Sequence, residues 1–149
     1  MRISVATDHA GFSLKQTVLD ELTRLGHTPL DLGPASPDSV DFPDYAERVG
    51  RSLQNKEADR GILICGSGVG MCIAANKMHE IRACVTHDTY SAHQGVEHDD
   101  MNVMCLGSRI VGEEVARELV RSYVNAEFQP EARYLRRLNK VALLEKGRQ

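Results

Sequence analysis

The sequence predicts a doubly wound α/β domain built on a five-stranded parallel sheet. Three observations predict it. Short β-rich runs alternate with amphipathic helical stretches along the whole chain. The strand candidates are near-continuous apolar runs, as strands covered on both faces should be. Strict alternation calls for parallel strands with right-handed crossovers and helices on both sheet faces.

The elements follow in order. ISVAT (Ile3–Thr7) is the first strand. The helix after it carries Leu14, Val18, Leu22 and Leu25 on one face and stops at Gly26. A short strand near Thr28–Leu32 leads into the loop GPASPDSVDFP, rich in Pro, Gly and Ser. Tyr45, Ala46, Val49 and Leu53 mark a second helix, GILIC a third strand and Val69–Lys77 a third helix. Arg82–Thr86 is a fourth strand, followed by a helix over Thr89–Gly95 and a fifth strand at Val103–Gly107. Helices near Glu113–Asn125 and Glu131–Glu145 close the chain.

Composition narrows the class. At 149 residues the chain fits one domain, residues 1–149, long enough for its own core. A net charge of −3 gives no general case for nucleic acid or membrane binding. The charge is uneven: Glu131–Gln149 carries +4 and the rest −7. A basic C-terminal helix on an acidic body suits an anionic ligand or docking on another subunit, or is a solvated face. No run approaches a membrane span, and the N-terminus lacks a secretory pattern. The four cysteines show no CxxC spacing, so a reducing cytoplasm is the expected setting.

In such folds ligands sit beyond the carboxyl ends of the strands. Those ends carry Thr7-Asp8-His9, Cys65-Gly66-Ser67-Gly68, Thr86-His87-Asp88 and Gly107-Ser108-Arg109. The glycines Gly66, Gly68 and Gly70 are spaced GxGxG after the third strand, which fits neither the dinucleotide fingerprint nor a P-loop. What remains is a turn whose backbone N–H groups, from Gly66 through Ser67, Gly68 and Val69 to Gly70, can converge on an anion at a helix N-terminus. Cys65 stands at its mouth. An ordinary thiol is only about 3% thiolate at pH 7, and a helix N-terminus lowers its pKa. Cys72, Cys84 and Cys105 read as small buried hydrophobes.

Other polar groups gather around this reading. Asp8 is either a helix cap or an acceptor for sugar hydroxyls, and His9 can contact an anion. His93, His98, Asp99 and Asp100 do not match the HExxH spacing of a metal site. His98, read as lying just before a core strand, suits a general acid–base. Arg133 and Arg137, four apart, share one helix face and can clamp a phosphate, with Arg109 expected at the same ligand edge.

The motifs D-H-A-G-F, D-F-P-D-Y, G-I-L-I-C-G-S-G-V-G with I-A-A-N-K, H-D-D-M-N-V and G-S-R-I-V-G resemble the type B ribose-5-phosphate isomerase family, which includes galactose- and allose-6-phosphate isomerases. The resemblance covers nearly the whole chain. It implies a three-layer α/β/α Rossmann-like homodimer, or dimer of dimers, whose site is completed by the partner's C-terminal helix. It implies a sugar-phosphate substrate, no metal and no redox cofactor. By resemblance Cys65 is the base that moves a proton between C1 and C2, and His98 opens the sugar ring. Asp8 and His9 contact substrate, Gly66–Gly70 supply donors to the enediolate, and Arg109, Arg133 and Arg137 bind phosphate. Some relatives carry a glutamate base after the glycine loop, where this chain has Met71. Many carry Asn where this chain has Asp99, a departure that bears on hydroxyl recognition and sugar preference. Other aldose phosphates (allose or galactose 6-phosphate, erythrose 4-phosphate), a non-catalytic sugar-phosphate or nucleotide sensor, and a zinc hydrolase are the alternatives.

Overall fold

The computed structural model describes residues 1–147; Arg148, counted above in the basic C-terminal segment, and Gln149 lie outside the described residues. The elements run β1 (Arg2–Thr7), α1 (Phe12–Arg24), β2 (Thr28–Asp31), α2 (Phe42–Gln54), β3 (Arg60–Cys65), α3 (Val69–Ala75), β4 (Ala83–Val85), α4 (Thr89–Asp99), β5 (Val103–Gly107), α5 (Glu113–Asn125) and α6 (Ala132–Lys146). The five strands form one parallel sheet in the order β2-β1-β3-β5-β4. The chain first winds toward β2 and then back toward β4, so the order reverses between β1 and β3, the place where folds of this class bind ligands beyond the carboxyl ends.

Strand alternation divides the core in two. Ile3, Val5, Ile62, Ile64, Met104 and Leu106 pack with α1, α4 and α5. Ala6, Leu63, Cys65, Val103 and Cys105 face α2 and α3. Cys65 therefore belongs by register to the α2/α3 layer. Truncating a fully buried side chain such as Ile62 or Leu22 would cost about 2–5 kcal/mol. No helix of the described residues is long and apolar enough to cross a membrane.

Helix ends follow local chemistry. Gly26 takes φ +80° and stops α1 as expected, with the His27 N–H donating to the Leu22 carbonyl at 3.0 Å. Asp88 caps α4, its Oδ1 accepting the Ser91 N–H at 2.7 Å. Two expected ends shift. α3 closes at Ala75, short of Lys77. α4 runs through Gly95 to Asp99, and Asp100 (φ 49°) makes the left-handed stop. Met101 packs directly over the bare Cα of Gly95, so that glycine serves close packing inside the helix. His98 consequently sits in the last turn of α4, where the helix dipole favours a cation.

Candidate active site

The candidate site is built by three strand ends tied to one another. Beyond β1, the Asp8 N–H donates to the Ile64 carbonyl of β3 at 3.1 Å. The Asp8 carboxylate accepts the Gly11 N–H at 2.9 Å, so Asp8 braces the turn into α1. Gly11 is required there: a Cβ would lie 2.4 Å from the Ile64 carbonyl oxygen. Ser108, after β5, donates its hydroxyl to the Ala10 carbonyl at 2.7 Å. His9 is exposed, its Nδ1 accepting the Val40 N–H at 3.4 Å.

Cys65 ends β3 with 6% of its surface accessible. Gly68 turns the chain back over it with φ +81° and donates its N–H to Cys65 Sγ at 3.0 Å. Only a glycine holds that conformation without strain. The amide is thus aimed at the sulfur from the N-terminal end of α3. The Val69 N–H is turned to the Ser67 hydroxyl at 3.3 Å. Arg109 reaches back across Gly66, where a Cβ would touch its Nε at 3.4 Å, and its own N–H donates to the Gly66 carbonyl at 3.0 Å. A thiol, a glycine turn, a carboxylate and a guanidinium thus lie together at the strand ends.

His98 and the arginines of α6 lie elsewhere in the subunit. α4 starts beyond the carboxyl end of β4 and runs back along the sheet, so its last turn is displaced by about 14 Å toward the strand starts. There the His98 ring stacks on Tyr134 of α6, centroids 4.2 Å apart and planes 16° apart. Gln94 donates to His98 Nδ1 at 2.9 Å, which leaves the proton of the neutral ring on Nε2, and to Asp99 at 3.5 Å. Arg133 lies over the Tyr134 ring, 4.6 Å from its centroid, and pairs with Glu131 at 2.8 Å. Arg137 is exposed and lines a groove of about 690 Å³ with Asp99, Gln94 and Cys84. The expectation of one common edge for these groups within a chain is therefore corrected: Arg109 lies with Cys65 at the strand ends, whereas His98, Asp99, Arg133 and Arg137 form a second cluster.

The other cysteines divide. Cys105 is buried, as expected, and burial pushes its thiol up. Cys72 is only half-buried: a hydrogen bond with the Cys105 thiol, against the cost of burial, brings it down to about 6. Cys84 is exposed. Neither is the inert core residue that its apolar neighbours suggested. Sequence reading missed Gln94 and Tyr134, and it quoted Gly11 and Ser108 within motifs without giving them a role. Gly11 had a signal, a glycine directly before a helix. Tyr134, the one buried residue of α6, had none, because a single apolar position makes no period.

The whole-chain family match and relatives place this doubly wound chain among the sugar-phosphate isomerases. The chain belongs to the ribose/galactose isomerase family, which it matches over residues 3–141. It is 39% identical over 147 residues to ribose-5-phosphate isomerase B of Escherichia coli, covering 99% of this chain and 98% of that one. D-erythrulose-4-phosphate isomerase of Pectobacterium atrosepticum is 37% identical over 131 residues, 87% of this chain and 86% of its own. The structure of ribose-5-phosphate isomerase B from Clostridium thermocellum superposes with a TM-score of 0.97 at 40% identity, covering all of both chains.

Proposed function

We propose that the protein interconverts ribose 5-phosphate and ribulose 5-phosphate, with Cys65 as the base. The observation that carries this reading is the Gly68 N–H on Cys65 Sγ at 3.0 Å, at the point where the strand order reverses. The thiolate takes the proton from C2 of the open aldose, an enediolate forms, the proton is returned to C1, and the hydroxyl proton passes from O2 to O1 to give the ketose. With the Gly68 and Val69 amides taken by Cys65 and Ser67, the Gly66, Ser67 and Gly70 amides are the donors for the charge that develops on oxygen, a contribution typically worth about 3 kcal/mol per donor. Asp8 accepts from a sugar hydroxyl, and His9 stands at the phosphate end. Before this step the sugar ring opens, and His98 serves as the acid–base that moves the proton from the anomeric hydroxyl to the ring oxygen.

The site is shared between two subunits. The displacement of His98 from Cys65 along the sheet supports this, because no rotamer spans it. Apolar side chains are exposed at both clusters: Val69, Ile73 and Ile110 by the glycine turn, Leu143 and Leu144 on α6. In a twofold dimer, the α4–α6 cluster of one subunit would close over Cys65 of the other and bring Arg133 and Arg137 to the phosphate beside Arg109 and His9.

A second reading, a tetrose 4-phosphate as substrate, is favoured by the relative named for that activity. Parallel assays of the purified protein on ribose 5-phosphate, allose 6-phosphate, galactose 6-phosphate and erythrose 4-phosphate decide between them. We expect the highest kcat/KM on ribose 5-phosphate, and a loss of at least 1,000-fold in kcat for Cys65→Ala with an unchanged circular dichroism spectrum. A tenfold preference for another sugar overturns the substrate; near-normal turnover by Cys65→Ala overturns the base.

A further inference from the structure

His87 has no part in the chemistry above, yet it holds the strand on which that chemistry rests. Its Nε2 accepts the backbone N–H of Gly107, the last residue of β5, at 3.0 Å. β4 is the edge strand and its pairing with β5 ends at Val85 opposite Cys105, with one further bond from the Thr86 N–H to the Cys105 carbonyl at 3.0 Å. The next donor along β5, Gly107, has no strand partner on that side, and an unpaired buried N–H is costly. The imidazole supplies the missing acceptor. It can do so only with a lone pair on Nε2, so the neutral ring carries its proton on Nδ1.

What hangs from Gly107 gives this bond its significance. Gly107 is the register partner of Cys65. Its Cα packs on the glycine turn so closely that a Cβ would lie 2.8 Å from the Ser67 carbonyl carbon. Its two successors bond the same turn: the Ser108 N–H donates to the Cys65 carbonyl at 2.9 Å and the Arg109 N–H to the Gly66 carbonyl at 3.0 Å. His87 itself is fixed between the Thr86 ladder bond and the Asp88 cap of α4. We propose that His87 is a positioning residue: its neutral imidazole completes the end of β5 and thereby holds the Gly66–Gly68 turn and Arg109 in place around Cys65.

The kinetic part of this inference rests on the function proposed above, so the test has an arm that does not. His87→Leu keeps bulk and removes the acceptor; His87→Gln places a carbonyl oxygen where Nε2 stood. Hydrogen exchange of the Gly107 amide in ¹⁵N-labelled full-length protein should accelerate at least 100-fold in His87→Leu and stay within fivefold of wild type in His87→Gln. Turnover of ribose 5-phosphate should fall about tenfold in kcat, with KM within threefold, for His87→Leu and recover to within threefold for His87→Gln. Wild-type protection of Gly107 in His87→Leu overturns the inference, as does a His87→Gln variant as slow as His87→Leu. If Gly107 exchange responds as expected but the wild type turns over no sugar phosphate, the clamp stands and the proposed function has failed.

Discussion

The imidazole of His98 lies flat on the phenol ring of Tyr134, 4.2 Å from centroid to centroid. This one stack joins the last turn of α4 to the first turn of α6, so the proposed acid–base and the helix carrying Arg133 and Arg137 are held as a unit. Stacked aromatic pairs contribute about 0.5–1.5 kcal/mol beyond their buried area. Tyr134→Ala should therefore lower kcat roughly three- to tenfold. Tyr134→Phe keeps the stack and loses only the hydroxyl that accepts from Arg133 at 2.8 Å, and should stay near wild type. Steady-state kinetics of the two variants separate ring from hydroxyl.

Distance within the subunit makes a complementation experiment decisive. If Cys65 and His98 act on one substrate across a twofold interface, a mixed dimer of Cys65→Ala and His98→Ala subunits holds one intact site. Random reassembly of equal amounts makes about half the dimers mixed, so about a quarter of wild-type activity should return. Recovery no greater than the sum of the separate variants would assign both residues to one subunit's own site.

Cys72 should be the readily alkylated thiol near neutrality. With its pKa drawn down to about 6, it is mostly thiolate at pH 7, whereas buried Cys105 is protonated. Rates of iodoacetamide labelling, read peptide by peptide in a mass spectrometer, should rise at Cys72 with a midpoint near pH 6, and Cys105 should stay unlabelled in the native protein. Reading the Cys65 thiol through activity loss then calls for a Cys72→Ser background.

Glu21 is 1% exposed between α1 and α5, with its carboxylate bonded to Arg24 and to Arg121 at 2.7 Å. The Arg24 hydrogen bond, with Arg121 behind it and against the cost of burial, holds its pKa at about 2, down from 4.5. A depressed carboxylate stabilises the fold fully above its unfolded value and loses that contribution as pH falls from about 4.5 toward 2. Glu21→Gln should cost roughly 1–3 kcal/mol at pH 7. In urea titrations across pH 2–7 the wild type should approach the variant at the acid end, because the difference between them titrates away.

The doubly wound class, all eleven elements and the strand-end position of Cys65 were legible in the sequence because they depend on local pattern. Apolar runs, the stop at Gly26 and the glycines after β3 are set by residues a few positions apart. The end of α4 was misread for a reason of the same kind: Gly95 looks like a stop when its neighbours are considered alone, and only Met101 folding over it shows that it serves packing.

Sequence alone supplied the candidate groups: a thiol before a glycine turn, two histidines, carboxylates and three arginines. Tertiary structure decided their company. It placed Arg109 with Cys65, sent His98 with Arg133 and Arg137 to the other end of the sheet, and turned Cys72 toward Cys105. The physical reason is that a helix returning antiparallel to its strand carries its last residues the length of the sheet away from its first. Which end a side chain reaches is thus fixed by where helices stop and how strands are ordered, neither of which is a property of neighbouring residues.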